Sequence, residues 1–156
     1  MPISSTAPGS LLSALKANNL ETSQSLGGAI FVNGIAEVPK AAPFLSQLVV
    51  AGSTVYLSGQ IAVNPGTGKM VESGVESEAE QIFDNIEASL KGVGLSLADV
   101  VKASVYLTNF KEFPKFNEIY IRRMAGCRPA REALCVSELA LGATVEVTVV
   151  AYKADF

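Results

Sequence analysis

The regular alternation of apolar and polar residues begins past Pro43. Across residues 54–60, Val55, Leu57 and Gly59 fall on one side and Thr54, Tyr56, Ser58 and Gln60 on the other, the period of two expected of a strand. Residues 47–50 supply its hairpin mate. The run Asn64-Pro65-Gly66-Thr67-Gly68 is a turn. After it Ala79, Ile82, Phe83, Ile86, Leu90 and Val93 recur at helical spacing, with Ser77 and Glu80 as a capping box and Gly92 or Gly94 as the stop. Val101, Ala103, Val105 and Leu107 then alternate with polar neighbours as a strand. A second helix follows, with Phe113, Phe116, Tyr120, Ile121 and Met124 on its buried face. Two more strands, 132–136 and 144–152, close the chain. The order β-β-α-β-α-β-β predicts an α+β domain, a mixed sheet with both helices packed on one face. The opposite face, carrying Ser58, Glu146, Thr148 and Tyr152, is too apolar around these groups for plain solvent and invites a second copy of the chain.

Residues 1–30 carry no such periodicity. Leu11, Leu12 and Leu15 form their only clustered helical signal, so this stretch reads as a poorly ordered N-terminal extension, dispensable for folding, before a single domain over 31–156. Lys16 is its one positive charge and Glu21 offsets it, which disfavours a mitochondrial presequence. No apolar run approaches a membrane span, and a cytoplasmic protein without a membrane partner is expected. The net charge of −3 provides no basic stripe for nucleic acid. Cys127 and Cys135 read as free thiols, the second packed between Leu134 and Val136. The chain has no histidine at all, which removes the usual general base and the commonest metal ligand.

Chemistry must therefore come from other groups. Arg128-Pro129-Ala130-Arg131 is a stiff loop feeding a strand, where a guanidinium fork can meet a carboxylate bidentately or simply stay solvated. Glu146 interrupts an apolar strand, as a water-activating carboxylate or as an exposed or ion-paired residue. Asn117 sits on the buried side of the second helix, where an amide needs a partner. Ser58 precedes Gly59, a close-approach position, and without a histidine base this serine is a binder and not a nucleophile.

In chain order, Leu57-Ser58-Gly59-Gln60-Ile61 through Asn64-Pro65, Asp99-Val100-Val101-Lys102, Phe116-Asn117 with Tyr120, Arg128-Pro129-Ala130-Arg131, and Gly142-Ala143 with Val145-Glu146-Val147 closely resemble the reactive-intermediate deaminase (YjgF/UK114) family over about residues 36–153. The resemblance implies a chorismate-mutase-like fold and a homotrimer with clefts at its subunit interfaces. It further implies cofactor-free, metal-free hydrolysis of small 2-imino and enamine acids, of the 2-aminoacrylate and 2-iminopropanoate type, to 2-keto acids and ammonia. By the same likeness Arg131 clamps the substrate carboxylate and Glu146 lies near the water and the imine. Ser58, Gly59 and Asn117 line the cleft, while Arg128 matches no binding position. Phe44 stands where relatives often carry Tyr, and Ala133 replaces a common Cys and enlarges the pocket slightly. Alternatives are a dedicated pathway enzyme that acts on an imine without simple hydrolysis, and a non-catalytic trimer that binds small carboxylates.

Overall fold

The computed structural model describes residues 15–154. Its elements run β1 (Glu21–Gln24), β2 (Ile30–Asn33), β3 (Leu48–Ala51), β4 (Thr54–Leu57), β5 (Val63–Asn64), β6 (Lys69–Met70), α1 (Val75–Gly92), β7 (Val100–Leu107), α2 (Phe113–Met124), β8 (Ala130–Cys135) and β9 (Val145–Tyr152). Seven strands form one sheet in the order β1-β2-β3-β4-β9-β7-β8, and β5 with β6 forms a small separate hairpin. All neighbours in the large sheet are antiparallel except β7 and β8, which the crossover through α2 makes parallel. The expected mixed sheet with two helices is present, and the seven predicted elements are β3, β4, α1, β7, α2, β8 and β9 in order.

One face of the sheet meets the helices. Val32, Leu48, Val55, Ala103, Val105, Leu107, Val145 and Val147 point there and are buried, against Ala79, Ile82, Phe83, Ile86 and Leu90 of α1 and Phe116 of α2. Phe83 meets Tyr120 edge to face with ring centroids 5.9 Å apart, which locks the two helices together. Arg123 of α2 strengthens that seam. Its guanidinium lies 5.6 Å from the Phe83 ring centroid and bonds Glu80, Asp84 and Glu87 of α1.

The first thirty residues differ from expectation. β1 pairs with β2 and β2 with β3, so residues 21–33 are sheet and residue 30 lies inside a hairpin. Leu15 is 1% exposed and belongs to the core. Leu11 and Leu12 lie outside the described residues. Strands four residues long leave too little alternation to read, and pairing with β3 supplies what local pattern does not.

Other differences share local causes. α1 starts at Val75 with no side-chain cap: Ser77 donates to the Glu72 and Gly74 carbonyls, and Glu80 turns to the arginines of α2. Its stop is Gly94, at φ +77, with the Leu95 amide closing onto the Leu90 carbonyl. A bulge between Val100 and Lys102 sends Val100 inward and leaves Val101 exposed. β4 ends at Leu57. Gln60 then bridges Val147 and is buried, while Gly59 turns to the other face, reversing the predicted alternation of the two. On α2, Ile119 takes the buried place expected for Ile121, which is 63% exposed because it lies about 100° around the helix from Tyr120. Cys135 is exposed rather than packed, since β8 is an edge strand, and both cysteines are free.

Candidate active site

Arg131 projects from β8 on the helix side of the sheet, opposite Ala103. Its guanidinium stacks between two rings of α2, 4.5 Å from the Tyr120 centroid and 5.4 Å from that of Phe113. Phe113 is itself stacked on Phe110 at 4.9 Å. Arg131 Nη1 donates to Asn117 Oδ1 at 2.7 Å. A guanidinium carries five N–H donors, so the remaining ones stay available in a plane fixed by the two rings. Asn117 thus has its partner, and that partner is Arg131. Burial pushes the Tyr120 hydroxyl above its ordinary range, partly opposed by the positive charge of Arg131 and slightly reinforced by Cys127.

The loop into β8 is shaped by left-handed residues at its start. Ala125 at φ +48 caps α2 and Gly126 at φ +89 turns the chain back, with the Cys127 amide donating to the Met124 carbonyl at 3.0 Å. The result is a cleft of about 390 Å³ bordered by Tyr120, Ile121, Met124, Arg128, Pro129 and Arg131, with Asn117 at its edge. Ala133 lies two residues on along the same face of β8, half-buried against the core, and does not line this cleft.

The remaining candidates gather on the other face of the sheet. Glu146 of β9 stands opposite Tyr106, half-buried and pointing away from the helices. Gly59 abuts it: a Cβ there would overlap Glu146 Oε1 and lie 3.2 Å from its Cδ, so a larger residue would make the carboxylate swing out of its present place. Ser58 donates its hydroxyl to the Ser46 carbonyl at 2.6 Å, which ties the loop carrying Phe44 to this patch. Phe44 itself is 85% exposed.

Register keeps the two groups apart. Arg131 pairs with Ala103 and Glu146 with Tyr106, and residues of opposite parity on one strand point to opposite faces. Within the chain, Arg131 with Asn117 and Glu146 with Gly59 and Ser58 are separated by the thickness of the sheet. The aromatic clamp on Arg131 was missed in the sequence because Phe113 and Tyr120 share the helical stripe of the core. Their seven-residue spacing, two turns of one face, was the available signal. Arg128, which the sequence placed outside any site, borders the same cleft as Arg131.

Residues 35–153 match the family model described as Endoribonuclease L-PSP. The chain belongs to this family. A RutC family protein of Pyrococcus horikoshii is 37% identical over 115 residues, covering 74% of this chain and 91% of that one. A Rattus norvegicus family member named 2-iminobutanoate/2-iminopropanoate deaminase is 36% identical over 121 residues, 78% of this chain and 88% of its own. The solved structure of a conserved Rid family protein, YyfA of Yersinia pestis, superposes with a TM-score of 0.78 at 33% identity, over 81% of this chain and all of the other. For this member of the L-PSP family, the matched span contains β3 to β9 and every candidate site residue, while β1 and β2 precede it. No helix among the described residues is long and apolar enough to cross a membrane.

Proposed function

We propose that this L-PSP family member hydrolyses small 2-imino and enamine carboxylic acids to 2-keto acids and ammonia, in clefts shared between neighbouring protomers of a homotrimer in the cytoplasm. The observation that carries this proposal is the Arg131 guanidinium, held between Phe113 and Tyr120 with its outer N–H groups free. A planar fork held in that way suits the substrate carboxylate, which would otherwise tumble. Relatives named as 2-iminobutanoate/2-iminopropanoate deaminases support the substrate class.

The chemistry asks little of the protein. Water adds to C2 of the protonated imine as one of its protons passes to the Glu146 carboxylate. Glu146 returns that proton to the carbinolamine nitrogen, the C–N bond breaks to release ammonia, and the hydroxyl proton is lost to solvent as the ketone forms. A positioned carboxylate base contributes about 10²–10⁴-fold to such an addition. Gly59, without a side chain, lets the Glu146 carboxylate lie close against the backbone, and Ser58 holds the Phe44 loop against the same patch. Arg131 and Glu146 lie on opposite faces of one sheet, so one substrate reaches both only if Arg131 of one protomer meets the Glu146 patch of the next. The net charge of −3 and the lack of histidine favour this small-molecule site over RNA cleavage, which the family description names.

Subunit complementation tests the proposal. Arg131→Ala and Glu146→Gln are each expected to assemble but to lose release of 2-oxobutanoate from 2-iminobutanoate. Refolded together in equal amounts, they regain activity in about a quarter of their clefts, the share that combines an intact half from each variant. Arg131→Lys keeps the charge without the fork and stays about ten- to a hundredfold below wild type. Full activity of Arg131→Ala sinks the clamp, and a mixture that stays silent sinks the shared cleft. A wild type that binds 2-oxobutanoate but turns over no imine makes the protein a carboxylate binder.

A further inference from the structure

The chain has four arginines, and they divide into two kinds. Arg122 and Arg123 are neutralised by Glu80, Asp84 and Glu87 across the helix seam. Arg128 and Arg131 have no acidic partner among the described residues, and both border the one cleft behind α2. That cleft has no Asp or Glu in its wall, although acids outnumber bases in the whole chain by 15 to 12. Two uncompensated guanidinium groups in one concavity raise its potential and concentrate anions there.

The two positions are also built with little freedom. Pro129 between them has a fixed φ, and the left-handed turn at Ala125 and Gly126 determines how the loop leaves α2. Ile121 and Met124 supply an apolar wall on the same cleft, suited to methylene groups. A simple 2-imino acid carries a single carboxylate, which Arg131 alone accounts for. Arg128 is then a surplus cation facing the same bound molecule.

Resting on the hydrolase assignment above, we propose that Arg128 determines specificity and that the preferred substrate is a 2-imino dicarboxylate. Arg131 binds the carboxylate next to the imine, Arg128 binds the distal carboxylate, and the intervening methylenes lie along Ile121 and Met124. The reaction is unchanged: the C=N bond gains water, ammonia leaves, and a 2-keto dicarboxylate is released.

The test compares 2-iminoglutarate with 2-iminobutanoate, each generated in place by an amino-acid oxidase. In the wild type kcat/KM for the dicarboxylate is expected to exceed that for the monocarboxylate by about tenfold or more. Arg128→Gln lowers that ratio by about ten- to a hundredfold, chiefly through KM, and Arg128→Lys restores part of it. Lys69→Gln, at the exposed start of β6, leaves the ratio unchanged. A ratio that Arg128→Gln does not move overturns the proposal, while continued hydrolysis of 2-iminobutanoate keeps the hydrolase assignment. If neither imine is hydrolysed, the hydrolase assignment fails and calorimetry with 2-oxoglutarate and 2-oxobutanoate decides the role of Arg128 separately. Equal affinities overturn it, and tighter binding of 2-oxoglutarate that Arg128→Gln abolishes upholds it.

Discussion

Replacing Glu78 tests how β9, and with it Glu146, is held in place. Glu78 is a wholly buried carboxylate in the first turn of α1, outside every ion pair of the described residues. Its oxygens bind backbone instead. Oε2 accepts from the Thr144 amide at 2.8 Å and the Val145 amide at 3.4 Å, and Oε1 accepts from the Gly74 amide at 3.3 Å. The carboxylate therefore joins the helix N-terminus, where negative charge is favoured, to the first residues of β9. Glu78→Gln keeps the shape but turns one oxygen into an NH₂ that faces an N–H, which forfeits at least one charge-assisted bond at about 1.5–3 kcal/mol. Glu78→Ala orphans all three donors and leaves a void, costing about 3–5 kcal/mol. In a chain of this size each kcal/mol moves Tm by roughly 2–4 °C, so the alanine variant melts on the order of 10 °C lower. Glu76→Gln, exposed on the same turn, is the control and shifts stability by no more than about 0.5 kcal/mol. Thermal and urea melts of the variants at one pH decide the question. Should Glu78→Ala melt alongside Glu76→Gln, the start of β9 is anchored by something other than this carboxylate. Thr144 and Val145 lead directly into Glu146, so hydrolysis is expected to fall with Glu78→Gln even where the fold persists.

Two further outcomes follow from burial. Leu15→Ala is expected to destabilise by about 2–5 kcal/mol, and deletion of residues 1–30 to lower Tm by more, since it removes Leu15, β1 and the first residue of β2. A deletion that melts like wild type would show that the hairpin adds nothing to the core. Tyr120 has a raised folded pKa against an ordinary value of 10.0, so its contribution to stability is complete below that value and is lost as pH rises through the folded one. Urea midpoints measured upward from about pH 9 should therefore fall more steeply in the wild type than in Tyr120→Phe, which keeps the ring under Arg131; parallel curves would refute this.

The sequence alone determined the elements whose burial repeats over several turns or residue pairs. Ala79, Ile82, Phe83, Ile86 and Leu90 define α1 because nothing but a helix puts them on one face, and the alternation at 145–152 defines β9 with Glu146 on the outward side. Glu146 stood out as a charge interrupting an apolar strand, whereas Arg131, Ser58, Gly59 and Asn117 became candidates for a cleft through the family resemblance, their residues alone leaving solvated or structural readings open. Tertiary structure decided the rest, for reasons of pairing and register. β1 and β2 exist because β3 offers them an edge, which no four-residue pattern announces. The bulge at Val100 turned Val101 outward while Ala103, Val105 and Leu107 kept the expected buried face, and the break after Leu57 exchanged Gly59 and Gln60, because an irregularity in pairing shifts the side-chain alternation where it occurs. The ring clamp on Arg131, the place of Arg128 beside it, and the separation of Arg131 from Glu146 depend on where α2 lies over the parallel β7–β8 pair. The clamp joins Arg131 to rings 11 and 18 positions away in the chain, and local preference carries no information about such contacts.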